Sequence, residues 1–149
     1  MSEQEIEKTF SNLLRTGYSI TSPATIDYNC IAWAADDTEI WWWPDPLNEY
    51  YWPPEIPRAI NIETFIRVFE LLGYTVCDNP EYENDLEKVA IYADSNRKPT
   101  HAAKQLDSGK WTSKLGRLED IEHHTLDSLA GPHYGSAAVI LKRPKEDIS

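Results

Sequence analysis

Apolar residues recur at helical spacing near the start of the chain, where Ile6, Phe10, Leu13 and Leu14 share one face, Ser2 and Glu5 form a capping-box pattern and Gly17 supplies a stop. This predicts an amphipathic first helix. Residues 18 to 27, rich in Ser, Thr and Pro, read as a connecting loop. Asn29 stands in a capping position before the Ala-rich apolar run Cys30 to Ala35, which predicts a short buried helix opening at Cys30. Asn61 caps a further helix with Ile62, Phe65, Ile66, Phe69 and Leu72 on one face and Gly73 at its end.

Strand signals dominate the C-terminal half of the chain. Thr75 to Cys77 reads as a short strand, and Lys88 to Ala93 as a longer one. His101 to Leu106 and Lys110 to Leu115 form a hairpin across Asp107-Ser108-Gly109. Asp120 to Leu129 looks loosely helical, Ser136 to Lys142 forms a buried last strand, and residues 143–149 read as a charged tail that frays. The predicted organisation is one domain over residues 1–149, α+β in class, with N-terminal helices packed on a mostly antiparallel sheet.

Residues 37–60 break the periodicity. Trp41, Trp42, Trp43, Tyr50, Tyr51 and Trp52 alternate with Pro44, Pro46, Pro53, Pro54 and Pro57, and the prolines argue against a regular element. Such aromatics either pack a long inserted loop onto the domain or line a groove for a peptide or a sugar ring.

Composition bounds the partners. With 149 residues, 41% of them hydrophobic, the chain can bury one sizeable core. The 14 basic residues against 25 acidic ones give a net charge of -11, which repels phosphate backbones and anionic lipid heads. Nucleic acid and membrane surfaces are thus excluded as expected partners, whereas a basic protein is a natural one. The N-terminus lacks the basic start and apolar stretch of a secretory signal, and no stretch reaches the roughly 18 apolar residues of a span. The expected address is cytoplasmic, and leaderless export would leave the same signature. Two thiols, Cys30 and Cys77, are expected to be reduced.

Cys30 carries the chemical interest. A cysteine in the first turn of a buried helix has backbone N–H groups near its sulfur, which favour the thiolate and can steady a developing oxyanion. His101, opening a strand after a Pro-containing turn, is the candidate base. Cys77 reads as core. His123, His124 and His133 lack the spacing of a zinc site, and neither a phosphate loop nor a dinucleotide fingerprint is present, so no metal and no cofactor is expected.

The order of a cysteine opening a helix, a strand, a histidine opening the next strand and its hairpin partner resembles the NlpC/P60 and related papain-like cysteine hydrolases. The likeness runs roughly from Tyr28 to Lys114 and is carried by Cys30 and by His101-Ala102-Ala103-Lys104-Gln105-Leu106 with the Gly109 turn after it. The chain also resembles an uncharacterised bacterial family marked by Tyr-Asn-Cys-Ile-Ala-Trp-Ala, His-Ala-Ala and Trp-Thr-Ser-Lys-Leu-Gly. The papain-like likeness implies a papain-like fold, Cys30 as nucleophile, His101 as general base and Ser113 at the orienting position, with Gln105 or Asp120 as alternatives for that third place. Asn29, Tyr28, Trp41, Trp42, Trp43 and Trp52 are the candidate substrate-binding residues. Two functions are compatible with these residues: a thiol hydrolase or transamidase acting on amide bonds of a peptide or protein, and a non-catalytic interaction module, such as an immunity or adaptor protein.

Overall fold

The computed structural model of the chain describes residues 2–145. Its centre is a seven-stranded antiparallel sheet in the order β1-β6-β5-β4-β3-β7-β2. The strands are β1 (Tyr18–Ser22), β2 (Thr75–Cys77), β3 (Leu86–Ala93), β4 (Pro99–Gln105), β5 (Trp111–Lys114), β6 (Asp120–His123) and β7 (Ser136–Pro144). Among the described residues four short helices accompany them: α1 (Ser2–Thr9), α2 (Asn12–Thr16), α3 (Cys30–Ala34) and α4 (Ile62–Leu71).

This architecture overturns the papain-like α+β expectation, because the chain is mostly one antiparallel sheet with few, short helices. Two segments account for the difference. Residues 18–22, read as a loop, form edge strand β1, and residues 120–123, read as helical, form β6, its partner in the sheet. The Ser- and Thr-rich β1 is largely exposed, so it lacks the apolar alternation that marks a half-buried strand. After β6 only a 3-10 turn, Leu126–Leu129, is helical, closed by a capping box between Thr125 and Ser128. The first predicted helix is divided into α1 and α2, and Leu14 faces solvent while Ile6, Phe10 and Leu13 are buried.

The other elements follow local chemistry. The Asn29 side chain accepts from the Ala32 N–H and starts α3, and Asn61 does the same for α4 through Thr64 N–H. β7 runs to Pro144, pairing Arg143 with Glu87 in β3, and residues 146–149 of the segment read as a tail lie outside the described residues.

Strand alternation divides the core into two clusters. On one face Val89, Ile91, Ala102 and Leu141 meet α3, α4 and the aromatic loop, through Ile31, Phe65, Phe69, Trp42 and Trp52. On the other face Ala90, Tyr92, Ala103, Trp111 and Ile121 meet Ile6, Phe10 and Leu13. Each face of β3 is thus covered, which explains why Val89 to Tyr92 are fully buried. An ion-pair group fastens α3 to the sheet: Asp36 pairs with Lys104 and Arg143, and Glu87 pairs with the same two cations.

Candidate functional site

Cys30 opens α3 as a residue only 6% exposed, on the face of the sheet that carries Ala102. Burial pushes this thiol up to about 11, although the N–H groups of Ala102, Ile31 and Cys30 itself lie near the sulfur and draw it back. At neutral pH the group is therefore a thiol.

His101 lies on the opposite face. It stands one residue before Ala102 in β4 and two before Ala103, and its ring stacks on Tyr134 with centroids 4.1 Å apart and meets Tyr92 edge-on, both members of the second cluster. The structure brings His101 and Ser113 together on that face, and among the described residues no hydrogen bond joins either to Cys30. Ser113 Oγ sits between two imidazoles, 2.9 Å from His101 Nε2 and 2.8 Å from His123 Nε2.

Hydrogen-bond logic assigns the protons in this chain. The Thr125 carbonyl, 2.9 Å from His123 Nδ1, can only accept, so Nδ1 carries the proton and Nε2 is left to accept from the Ser113 hydroxyl. Having donated its only proton, Ser113 Oγ accepts from His101 Nε2–H, and His101 Nδ1 stays bare. That nitrogen is indeed buried with no hydrogen-bond partner among the described residues. Desolvation holds His101 well below its ordinary value and His123 at about 4, which keeps both rings neutral. All three side chains are fully buried, so the arrangement joins β4, β5 and β6 rather than meeting a substrate.

The residues around Cys30 form a different constellation. A pocket of about 340 Å³ is lined by Asn29, Cys30, Trp41, Trp43, Tyr50, Thr100, Gly116, His133 and Tyr134. Its volume lies at the lower end of the range for small-ligand sites. The loop aromatics reach it because the 37–60 segment is fastened from inside: the Arg58 guanidinium donates to the carbonyls of Trp43, Asp45 and Tyr50, and the Asp45 carboxylate accepts from the N–H groups of Glu49 and Tyr50. Trp41 and Tyr50 then lie with ring centroids 5.9 Å apart.

Of the expected substrate-binding residues, Asn29, Trp41 and Trp43 line this pocket. Trp42, Trp52 and Tyr28 are buried supports: Trp42 Nε1 donates to Asp37, Trp52 Nε1 to the Pro57 carbonyl, and Tyr28 stacks on Trp33 while its hydroxyl donates to Asp120. Asp120 and Gln105, the alternatives for a third catalytic group, are engaged with Tyr28 and with the Pro80 carbonyl. Sequence reading missed His133 and Tyr134 as pocket residues. The signal was present, since Gly131 and Gly135 bracket them, and these glycines exchange two backbone hydrogen bonds that project the pair as a tight turn.

Among the described residues no group of three or more His, Cys, Asp or Glu side chains could hold a metal ion, and no helix is long and apolar enough to cross a membrane. Residues 19–142 match a family described as a domain of unknown function (DUF7689), and the chain belongs to that family. No curated protein and no solved structure matches the chain.

Proposed function

We propose that this member of the DUF7689 family is a non-catalytic binding module, which holds an apolar side chain of a protein partner in the aromatic pocket over Cys30. The observation that supports it is the convergence of Trp41, Trp43, Tyr50 and Tyr134 on a pocket whose thiol is neutral and nearly buried. Flat rings of this kind give large contact area at little entropic cost. Exposed Ile26, Leu47, Tyr50 and Tyr51 add apolar surface of the sort that interfaces cover, and the net charge of -11 favours encounter with a basic partner.

The test is a titration of ¹⁵N-labelled protein with N-acetyl-phenylalanine methylamide. Saturable shifts of the Trp41 and Trp43 indole N–H signals are expected, with a Kd on the order of 1 mM for so small a probe. Trp41→Ala should abolish them and Cys30→Ala should retain them. Unmoved indole signals, or binding that survives Trp41→Ala, would contradict the assignment.

Amide hydrolysis through Cys30 is a second reading, favoured by the three backbone N–H groups around the sulfur and by His133, rather than His101, lining the same pocket. It requires a thiolate near neutral pH, which a direct titration of the thiol decides.

A further inference from the structure

The aromatic pocket has a neighbour. A second cavity of about 180 Å³ is lined by Ile26, Trp41, Tyr50 and Arg117, so the Trp41–Tyr50 pair forms a wall common to both cavities. The β5–β6 turn joins them from below, since consecutive residues Gly116 and Arg117 line the first and second cavity respectively.

That turn is rigidly built. Lys114 is fully buried, and its ammonium donates to the carbonyls of Thr25, Gly116 and Leu118 while lying 5.4 Å from the Tyr28 ring centroid. By gathering these carbonyls inward the ammonium fixes the backbone from which Arg117 projects. Arg117 is exposed, and no carboxylate among the described residues pairs with it. Among the described residues no acidic side chain lines either cavity, so the local chemistry is aromatic and cationic although the chain as a whole is acidic. Arg117 is thus the one Lys, Arg, Asp or Glu side chain that lines either cavity among the described residues.

We infer that the two cavities together bind the C-terminal residue of a partner polypeptide, its aromatic side chain entering the pocket over Cys30 and its terminal carboxylate pairing with Arg117 beyond the Trp41–Tyr50 wall. This rests on the binding-module reading and names its ligand. A guanidinium meets a carboxylate bidentately, and the adjoining rings supply stacking surface for an aromatic side chain.

Binding of N-acetyl-Gly-Gly-Phe with a free carboxylate is compared with its C-terminal amide and with 3-phenylpropanoate, by the same indole signals. The free acid is expected to bind about tenfold more tightly than the amide, the size of one charge-assisted contact. Arg117→Gln, an exposed change that leaves the fold intact, should erase that difference while the amide keeps its affinity. Equal binding of acid and amide, or a preference that persists in Arg117→Gln, overturns the inference while leaving the pocket standing if Trp41→Ala still abolishes binding. Equal affinity for 3-phenylpropanoate overturns the polypeptide assignment in favour of a free aryl acid. Failure of all three probes to bind overturns both readings.

Discussion

The neutrality of two buried imidazoles decides what His101 can do. The His101 ring donates its Nε2–H to Ser113, its Nδ1 has no hydrogen-bond partner among the described residues, and the ring stands on the face of the sheet opposite α3. The same geometry fixes a pH dependence. A histidine depressed on folding binds fewer protons in the folded than in the unfolded state, so its contribution to stability is complete above the ordinary value of 6.5 and is lost as pH falls toward about 4, the folded value of His123. Imidazole NMR signals of His101 and His123 should therefore keep neutral-ring shifts down to pH 5, while the thermal midpoint declines below about pH 6.5. Titration of either ring near its ordinary value would show that the chain of hydrogen bonds is not formed.

Individual elements differ in how much of them could be read in advance. Helices α3 and α4 were legible because each begins with an asparagine whose side chain accepts from the helix, and the β4–β5 hairpin was legible from its Asp-Ser-Gly junction. Strand β1 was not, since an exposed edge strand of Ser, Ile and Thr carries no burial pattern. The face that His101 occupies was beyond sequence reading for a sharper reason. Side chains alternate along a strand, so one slip of register reverses every residue, and a register shift lies beside this position, between Tyr92 and Ala93. The candidate site was half legible: Asn29, Cys30, Trp41 and Trp43 meet in one pocket, but their companions His133 and Tyr134 come from a turn whose reach depends on tertiary packing. That turn supplies an expected outcome. Gly135 has φ 77°, and a Cβ there would stand 2.0 Å from the Ala93 carbonyl oxygen, so Gly135→Ala should cost at least ~3 kcal/mol in urea denaturation and displace Tyr134 from the pocket. A loss below ~1 kcal/mol would mean that the turn is free to move away from β3.

At the scale of the molecule, one sheet stands between two core clusters. One face carries α1, α2 and the buried relay of His101, Ser113 and His123. The other carries α3 and the aromatic loop, and opens into the pocket beside Arg117. The placement of Cys30 at the floor of that pocket makes its protonation state the most informative property of the protein. The rate of iodoacetamide alkylation, followed by mass spectrometry from pH 6 to 12 with Cys77 as an internal comparison, reports it directly. A thiol titrating near 11 and sluggish at neutral pH is the outcome expected of a binding module. A Cys30 that alkylates faster than Cys77 at pH 7, with a titration midpoint below about 7.5, would contradict that assignment and make the pocket a site of thiol chemistry.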